Sequence, residues 1–410
     1  MSHPRINIVG AGLAGLSCAY YLEQAGFQPL IYERDGRIGG RIQTDLFQGF
    51  LLDRGFQVVL NNYPEFKTLF SPSSLRLKSI PSGARIYWNK EWFLLDNPLK
   101  HLSLSQLKNA PFIQQGDWWA LAKGAWRAFQ SPPNESTETF LRECGLSDAF
   151  IHAFWRPFFG GVFLELPLQT QAKTFIQLAK YFATGLACLP EQGMQAIPAD
   201  LARRLKRTKI FTAQTVQAIN HRSLILTSGE EALTDATVIA TSGLQASHLI
   251  KDVSAPRYET VTCLYFTVRT NVYPFSPYLH LNGSGEGPIN NVLFNHLIQP
   301  SYAPVGHGLV SVSVVDPEWQ SHAQLTQQVT HQLCEWFELS EKEWRHLKTY
   351  RILQALPEQT RSPLFAHQYL WNADQQLYVC GETVEEPSIN GALYSGRQVA
   401  QKIAAHFRNE

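Results

Sequence analysis

The sequence predicts an α/β fold, α+β overall, in which a parallel-sheet domain carries an inserted second domain built from an antiparallel sheet and helices. Three observations support this prediction. A β-branched run leads through a glycine-rich turn into a helical pattern near the N-terminus, similar strands return in the middle and near the C-terminus, and the intervening stretches are rich in aromatic residues. The length of 410 residues also exceeds what one hydrophobic core usually organises.

The composition excludes several classes of protein. The chain is 44% hydrophobic and 17% charged with a formal net charge of +1, so it lacks the basic excess typical of nucleic-acid binding, and we expect no nucleic-acid partner. No run of about eighteen apolar residues predicts a membrane-spanning helix. The six cysteines form no C-x-x-C pair or metal-like cluster, which predicts reduced thiols, no metal site and a cytoplasmic location.

The glycine-rich turn joins a strand at residues 5–9 to a helix at residues 13–24. Gly10 permits the tight turn, Gly12 lets a pyrophosphate approach the backbone, and Gly15 lets the helix pack closely on the strand. The first N–H groups of the helix then face the phosphates. The turn therefore supplies five candidate cofactor-binding residues: Gly10, Gly12, Leu13, Ala14 and Gly15.

An acidic residue follows the next strand at the spacing that dinucleotide-binding folds use. The strand at residues 29–32 leads into Glu33, about twenty residues beyond the glycines, where a carboxylate can accept hydrogen bonds from a ribose diol. Arg34 is a further candidate contact. Strand, helix and acidic residue together indicate dinucleotide binding rather than a simple packing turn.

The residues after Glu33 distinguish between dinucleotides. NAD-binding domains need nothing special there, whereas this chain continues with Gly39, Gly40 and Arg41. Glu33 followed by this glycine pair and arginine resembles the signature of the flavin-dependent amine oxidase and phytoene desaturase superfamily. The resemblance implies a Rossmann-like FAD-binding domain of the glutathione-reductase/amine-oxidase type, with the glycine pair and arginine along the FAD pyrophosphate and ribityl chain.

Three more segments carry the resemblance. "GFLLDRGFQVVL" resembles the strand that leads into Asp-x-Gly beside the flavin ring, and a strand near Val216 resembles the one whose backbone contacts the adenine side. "LYVCGETVEEPSINGALYSGRQVAQKI" resembles the C-terminal segment whose helix N-terminus points at the flavin; there the Ile389 N–H meets the pyrimidine carbonyl edge, and Glu382 replaces a frequent aspartate. These segments imply the following cofactor-binding residues: Gly55, Phe56, Gln57, Val216, Gly381, Glu382, Ser388, Ile389 and Ala392.

The same segments predict the domain organisation. Residues 1–80, 189–255 and 355–410 have nucleotide-domain character and are predicted to form the FAD-binding domain. Residues 81–188 and 256–354 are predicted to form the substrate-binding domain.

Two patterns in the predicted substrate domain concern apolar surfaces. The chain is helical in pattern from residue 102 to 181, and one apolar stripe in it is predicted to be core rather than membrane contact. "FWRPFFGGVFLEL", residues 154–166, is too interrupted for a regular core helix and is predicted to be a pocket wall. The stripe consists of Trp118, Leu121, Ala122, Ala125 and Phe129.

Two departures from the amine oxidases favour an apolar substrate. Ser388 stands where those enzymes usually place an aromatic residue, and residues 288–299 contain no lysine, only His296 as a titratable group. The segments "LDRGFQVVLNNYPE", "RPFFGGVFLE", "PEQGMQAIP" and "PSYAPVGHGLVSVSV" together resemble the phytoene dehydrogenase-like, protoporphyrinogen oxidase-related subgroup. That implies an FAD-dependent oxidoreductase that transfers hydride from a small apolar substrate to non-covalent FAD in a carotenoid or isoprenoid desaturation, oxidation or isomerisation.

Two alternatives stay open at this stage. One is a flavin amine oxidase; the other is a flavin-free, prenyl-binding protein similar to the Rab GDP-dissociation inhibitors, against which Arg41 and the segment 381–392 argue. The sequence assigns no catalytic residue, electron acceptor or oligomeric state, and it leaves peripheral contact with a membrane surface open.

Overall fold

The structure is a computed structural model that describes residues 4–97, 110–130, 134–251, 253–272, 274–315, 321–360 and 366–408. Its helices are α1 (Leu13–Gln24), α2 (Pro64–Leu69), α3 (Gln115–Gln130), α4 (Thr137–Cys144), α5 (Asp148–Phe150), α6 (Arg156–Phe163), α7 (Ala172–Thr184), α8 (Ala196–Arg204), α9 (Gly243–Leu249), α10 (Asn295–Ile298), α11 (His322–Phe337) and α12 (Ile389–Arg408). A π-helical segment spans Ile151–Trp155, and 3-10 turns span Pro300–Tyr302 and Glu341–Glu343.

The strands are β1 (Ile6–Val9), β2 (Leu30–Tyr32), β3 (Thr44–Phe47), β4 (Phe50–Asp53), β5 (Val59–Leu60), β6 (Lys78–Ser79), β7 (Gly83–Trp88), β8 (Glu91–Asp96), β9 (Ala187–Leu189), β10 (Lys209–Phe211), β11 (Val216–Asn220), β12 (Ser223–Leu226), β13 (Glu231–Leu233), β14 (Ala236–Ile239), β15 (Tyr258–Arg269), β16 (Leu279–Asn282), β17 (Asn291–Phe294), β18 (His307–Val315), β19 (Arg345–Pro357), β20 (Leu370–Asn372) and β21 (Leu377–Val379).

A six-stranded sheet in the order β10-β2-β1-β14-β21-β20 forms the cofactor side of the molecule. Its first five strands are mutually parallel, and β20 pairs antiparallel at the edge. Every residue of the central strand β1 is buried, as expected for a strand covered on both faces. The predicted α/β fold is confirmed.

Helices α1 and α12 pack tightly on this sheet. The Ser17 hydroxyl donates to the Leu393 carbonyl at 2.8 Å. A Cβ on Gly396 would lie 2.3 Å from the Ala14 carbonyl oxygen, so no side chain fits between the helices. The N-terminal ends of the two helices are brought together by this close approach.

A seven-stranded sheet, β19-β15-β18-β17-β16-β7-β8, forms the second part of the molecule. Its pairs are antiparallel except β16 with β7. Helix α11 packs on one face, and the other face packs against β4 and the 3-10 turn at Pro300–Tyr302. Strand β19 extends across the predicted boundary between residues 354 and 355, and β9 in the small sheet β5-β9-β6 extends across the one between residues 188 and 189. The exact domain boundaries remain a prediction.

The predicted buried stripe on α3 is largely wrong. Trp118 and Leu121 do pack against the core around α4 to α7. Ala122 and Ala125 are exposed, and Phe129 is 90% exposed. Apolar spacing identifies a helix face but not whether another element covers it, and the described residues leave this face uncovered. The part of the predicted helical pattern at residues 102–109 lies outside the described residues.

The aromatic segment at residues 154–166 is more helical than predicted. The π-helical turn leads directly into α6, and Pro157 lies at the start of α6, where its missing N–H does little harm. Leu164 ends the helix in the left-handed region with φ of 61°.

Candidate functional site

The glycine turn before α1 is built as the sequence predicts. Gly10 has a φ of +107°, and a Cβ there would lie 2.7 Å from the Ala240 carbonyl oxygen. A Cβ on Gly15 would lie 2.0 Å from the Gly10 carbonyl oxygen. A Cβ on Gly12 would meet nothing within 4 Å, so this glycine opens onto free space. No side chain caps the helix at Gly12 and no acidic residue lies in its first turn, which leaves the N–H groups of Leu13 and Ala14 to an anion.

Glu33 lies at the end of β2 and points at this turn. Its side chain is 6% exposed, and its two carboxylate oxygens accept from the Ala11 N–H at 2.7 Å and the Asp35 N–H at 2.9 Å. Each oxygen retains a lone pair for a ribose hydroxyl. The Arg34 side chain is 51% exposed, and its guanidinium lies 3.8 Å from the Asp35 carboxylate.

The second glycine loop faces the first. The Gly39 N–H donates to the Ala11 carbonyl at 2.9 Å, and Gly39 needs a φ of +113°. A Cβ on Gly40 would lie 3.4 Å from the Gly12 Cα. The two loops therefore form one continuous glycine surface.

The segment after β4 forms another part of the candidate cofactor site. A Cβ on Gly55 would lie 2.8 Å from Ile352 on β19, and Phe56 is half-buried against the same core. The Gln57 side-chain N–H groups donate to the carbonyls of Arg41 and Arg54, each at 2.9 Å. The Gln57 amide oxygen is buried without a donor among the described residues, so it can accept from a bound ligand.

The Asp-x-Gly aspartate belongs to a buried network. Asp53 is 2% exposed, and its carboxylate accepts from the Thr44 hydroxyl at 2.5 Å, the Met194 N–H at 2.9 Å and the Tyr302 hydroxyl at 3.0 Å. The Tyr265 hydroxyl donates to the Asp53 carbonyl at 2.8 Å. Burial raises the pKa of Asp53 to about 6. This network fixes the backbone that leads to Gly55.

Arg41 and Glu382 form an ion pair at the other end of this surface. The Arg41 guanidinium donates to the Glu382 carboxylate. It also donates to the Ala355 carbonyl, at 3.2 Å. The carboxylate also accepts from the Gly243 N–H at 2.8 Å and from the Tyr258 hydroxyl. Burial and the carboxylate raise the pKa of Tyr258, so its hydroxyl remains a donor.

The N-terminus of α12 lies beside that of α1. A Cβ on Gly381 would be 3.7 Å from the Ala14 Cβ, and the Gly381 N–H donates to the Ser395 hydroxyl at 2.9 Å. Ser388 caps α12 by accepting from the Gly391 N–H at 2.9 Å, and its carbonyl accepts from the Ala392 N–H at 2.9 Å. The Ile389 N–H has no acceptor among the described residues.

Strand β11 lies next to Glu33. The Gln214 N–H donates to the Glu33 carbonyl at 2.8 Å, and the Ala213 N–H donates to the Asp35 carbonyl at 2.9 Å. Val216, two residues further along, is buried. The adenine-side contact that the resemblance implies for Val216 remains a prediction.

Sequence reasoning missed residues that reach the site from distant segments. Tyr258 on β15 contacts Glu382 across 124 positions. In the loop before α12, the Glu385 carboxylate accepts from the Tyr369 hydroxyl and lies 2.7 Å from the His367 Nδ1. Burial raises the pKa of the neighbouring Glu386. No local pattern around Tyr258, His367 or Tyr369 marks such contacts in advance.

The assembled residues fit FAD. They provide a ribose acceptor at Glu33, two uncapped or partly capped helix N-termini, open space over Gly12, and the orphaned amide oxygen of Gln57. Fold and site therefore define a flavin-dependent oxidoreductase built on a dinucleotide-binding domain. The family model described as flavin containing amine oxidoreductase matches residues 13–404, and the chain belongs to this family.

Individual relatives are similar over very different lengths. Hydroxysqualene dehydroxylase of Zymomonas mobilis is 24% identical over 450 residues, covering 98% of this chain and 99% of that protein. Protoporphyrinogen oxidase 2 of Arabidopsis thaliana is 35% identical over 78 residues, or 19% of this chain, and 15-cis-phytoene desaturase of Synechococcus elongatus is 34% identical over 97 residues, or 23% of this chain. The matches span only 15% and 19% of those two relatives.

Solved structures show the same fold. An oxidoreductase from Methanosarcina mazei superposes with a TM-score of 0.78 at 17% identity, covering 97% of this chain and 100% of that one. Reduced UDP-galactopyranose mutase superposes with a TM-score of 0.70 at 14% identity, covering 98% and 96%. Family membership confirms an FAD-dependent enzyme and disfavours the flavin-free alternative. Among the described residues, no group of side chains could bind a metal ion and no helix could cross a membrane.

We expect the FAD to be bound without a covalent link. Residues 371–377 contain no cysteine, and Cys380 is fully buried at the end of β21, where burial raises the pKa of its thiol and suppresses the nucleophilic thiolate. Acid precipitation of the yellow holoprotein should release all of its flavin into the supernatant. Flavin that stays with the washed pellet would contradict this prediction.

Proposed function

We propose that the protein oxidises, desaturates or isomerises an apolar, isoprenoid-type substrate. When FAD is bound, it would accept a hydride from the substrate. The contribution of the chain is then to bind the substrate, orient it and exclude water, which an apolar wall can do without a catalytic acid or base.

A row of four phenylalanines, two pairs stacked and one pair edge to face, carries this proposal. We define the aromatic row as Phe150, Phe154, Phe158 and Phe182. The ring centroids lie 5.9 Å apart for the first pair, 5.4 Å for the second and 5.1 Å for the third. Phe154, Phe158 and Phe182 are half-buried, so each ring keeps a free surface. Such a surface gains about 25 cal/mol for each Å² of apolar ligand it buries.

The aromatic row leads toward the candidate FAD site. Phe182 packs against both the core of the helical part and the core of the six-stranded sheet. Its neighbour Tyr181 contacts Tyr63 with ring centroids 5.1 Å apart. The Glu65 N–H, two residues beyond Tyr63, donates to the Asn390 side chain at 3.0 Å, so this part of the chain lies beside the N-terminal end of α12.

The polar groups that would orient an amine are missing from the expected positions. Ser388 uses its hydroxyl to cap α12 instead of offering a ring. His296, the titratable residue of the segment 288–299, is buried beside the Leu309 carbonyl at 3.3 Å from its Nδ1, and burial lowers its pKa, so it is neutral at pH 7. The match along the whole chain to a hydroxysqualene dehydroxylase adds support for an isoprenoid substrate.

Anaerobic flavin reduction tests the proposal. We expect at least one member of a panel of isoprenoid hydrocarbons, isoprenoid alcohols, quinols and porphyrinogens to bleach the flavin of the holoprotein. Chromatography of the same mixtures detects the product of a redox-neutral isomerisation, which would leave the flavin oxidised. Primary amines and polyamines form the matched control panel and should leave the flavin oxidised. Reduction by amines alone, with no reaction of the apolar panel, would restore the amine oxidase alternative.

A further inference from the structure

A cavity of about 560 Å³ lies between α11 and the loop that joins β16 to β17. Its volume is within the range of small-molecule sites, about 300–1,000 Å³. Tyr87 on β7 and Trp336 on α11 line it, and both belong to the core on the α11 face of the seven-stranded sheet. Phe56 of the candidate cofactor site packs on the opposite face of this sheet. The cavity is therefore separate from the cofactor site.

The loop that forms one wall of the cavity is held in place by buried side chains. The Gln332 amide oxygen accepts from the Ile289 N–H at 3.0 Å, and its amide N–H donates to the Glu286 carbonyl at 2.7 Å. The Asn282 amide donates to the same carbonyl at 2.8 Å. Gly287 has a φ of +72°, and a Cβ there would lie 2.5 Å from the Gln332 amide oxygen. The wall is thus formed before a ligand binds, which lowers the cost of binding.

Two polar atoms that face the cavity have no protein partner. Tyr87 is 7% exposed and Trp336 is 4% exposed, yet the Tyr87 hydroxyl and the Trp336 indole N–H make no hydrogen bond with the residues that the structure describes. Buried tyrosine and tryptophan usually find a partner for these atoms. A ligand in the cavity can supply an acceptor for the indole N–H and can donate to the tyrosine hydroxyl.

The electrostatic surroundings of the cavity are acidic. Glu286 and Glu335 line it and are exposed, and neither carboxylate forms an ion pair within the described part of the chain. Burial and the negative charges of Glu335, Glu286 and Glu338 raise the pKa of Tyr87. The last turn of α11 has no basic residue, and the C-terminal end of a helix dipole adds partial negative charge. Among the described lining residues, His331 is the one basic side chain.

We propose that this cavity binds an organic cation of the guanidinium or ammonium class that also carries an oxygen acceptor. The cation would be attracted to the rings of Tyr87 and Trp336, whose centroids lie 5.1 Å apart. Its N–H groups would donate to the carboxylates of Glu286 and Glu335, and its oxygen would accept from the indole N–H. The same chemistry is offered by a free arginine-like metabolite and by an arginine residue of a polypeptide.

An anion fits this cavity less well. Two carboxylates line it and would repel a negative charge. Arg85, two positions before Tyr87 on β7, lies with its guanidinium 5.5 Å from the centre of the Trp92 ring and does not line the cavity. An uncharged ligand would gain nothing from the carboxylates.

Isothermal titration calorimetry of the holoprotein with N-acetylarginine amide tests the proposal. This probe should bind at least about ten-fold more tightly than N-acetylcitrulline amide, which has nearly the same shape but no charge. Tighter binding of free arginine than of the amide would assign the site to a free metabolite, and the reverse order would assign it to an arginine residue of a polypeptide. Equal affinity for the arginine and citrulline probes, or no saturable binding up to about 1 mM, would overturn the proposal.

Variants locate the binding in the cavity. Glu286→Gln and Glu335→Gln should each weaken binding of N-acetylarginine amide about five-fold or more, and Tyr87→Phe, which keeps the ring, about three-fold. Glu341→Gln is the matched control, because this exposed carboxylate lies in the 3-10 turn outside the lining and should bind like wild type. Equal weakening by Glu341→Gln and Glu335→Gln would show attraction by general charge and overturn the proposal.

This inference goes beyond the proposed function and does not rest on it. All variants should keep their full flavin absorbance, and the apolar panel should bleach their flavin as it does in wild type. Calorimetry uses no substrate, so a failure of the cation site leaves the proposed function untouched. A failure of the apolar panel likewise leaves the cation site untouched.

Discussion

The Glu33→Ala variant is expected to purify nearly free of FAD, with the dissociation constant of FAD raised at least about a hundred-fold. The wild-type carboxylate already accepts from Ala11 and Asp35 and can accept from two ribose hydroxyls with its remaining lone pairs. Each hydrogen bond to a charged group contributes about 1.5–3 kcal/mol, and a hundred-fold change needs about 2.8 kcal/mol. Fluorescence titration of the apoprotein with FAD measures the change.

Two neighbouring arginines provide the comparison. Arg34→Ala is the matched control because this side chain is 51% exposed, so this variant should retain more flavin than Glu33→Ala or Arg41→Ala. Arg41→Ala should lose a substantial part of it, since it removes a charge-assisted contact to phosphate and leaves the Glu382 carboxylate with one fewer donor. If all three variants purify with full flavin, the assignment of the site is incorrect.

The Asp53→Ala variant is expected to lose about 3–5 kcal/mol of unfolding free energy. The substitution leaves the Thr44 hydroxyl, the Met194 N–H and the Tyr302 hydroxyl without their acceptor in a buried place. These three donors belong to three separate segments, so the loss also loosens the backbone before Gly55 and should weaken FAD retention. Chemical denaturation monitored by circular dichroism measures the loss.

Asp53→Asn gives the matched control and a test of pH dependence. The pKa of Asp53 is raised to about 6 in the folded protein from an unfolded value near 3.8, so the folded state binds more protons between these values. The contribution of Asp53 to stability is therefore complete below about pH 4 and is lost as the pH rises through about 6. Relative to Asp53→Asn, wild type should lose stability over this window; a constant difference between the two would contradict the assignment.

The nucleotide-binding end of the fold was predictable because its signals are local. The predicted helix at residues 13–24 has the observed bounds of α1, and Gly10 and Gly15 occupy positions where a Cβ would collide with backbone. A phosphate site made from one turn and one helix N-terminus leaves a short pattern in the sequence. For the same reason Glu33 could be placed from its spacing alone.

Other features depend on which distant elements meet, and no local pattern reports that. Tyr258 reaches Glu382 because β15 begins beside α9. The stripe on α3 was correctly identified as one helix face, but its burial depends on a covering element that the described part of the chain does not provide.

The close packing of α1 against α12 has a consequence for biosynthesis. The hydrogen bond from Ser17 to Leu393 spans 376 positions, and the central strands β1, β14 and β21 come from three separated segments. Contacts this distant in sequence form slowly, because the chain between them must first be ordered. During translation, the glycine turn and Glu33 leave the ribosome long before α12 has been synthesised. We therefore expect flavin uptake to follow the synthesis of α12, and free FAD to accelerate only the last step of folding.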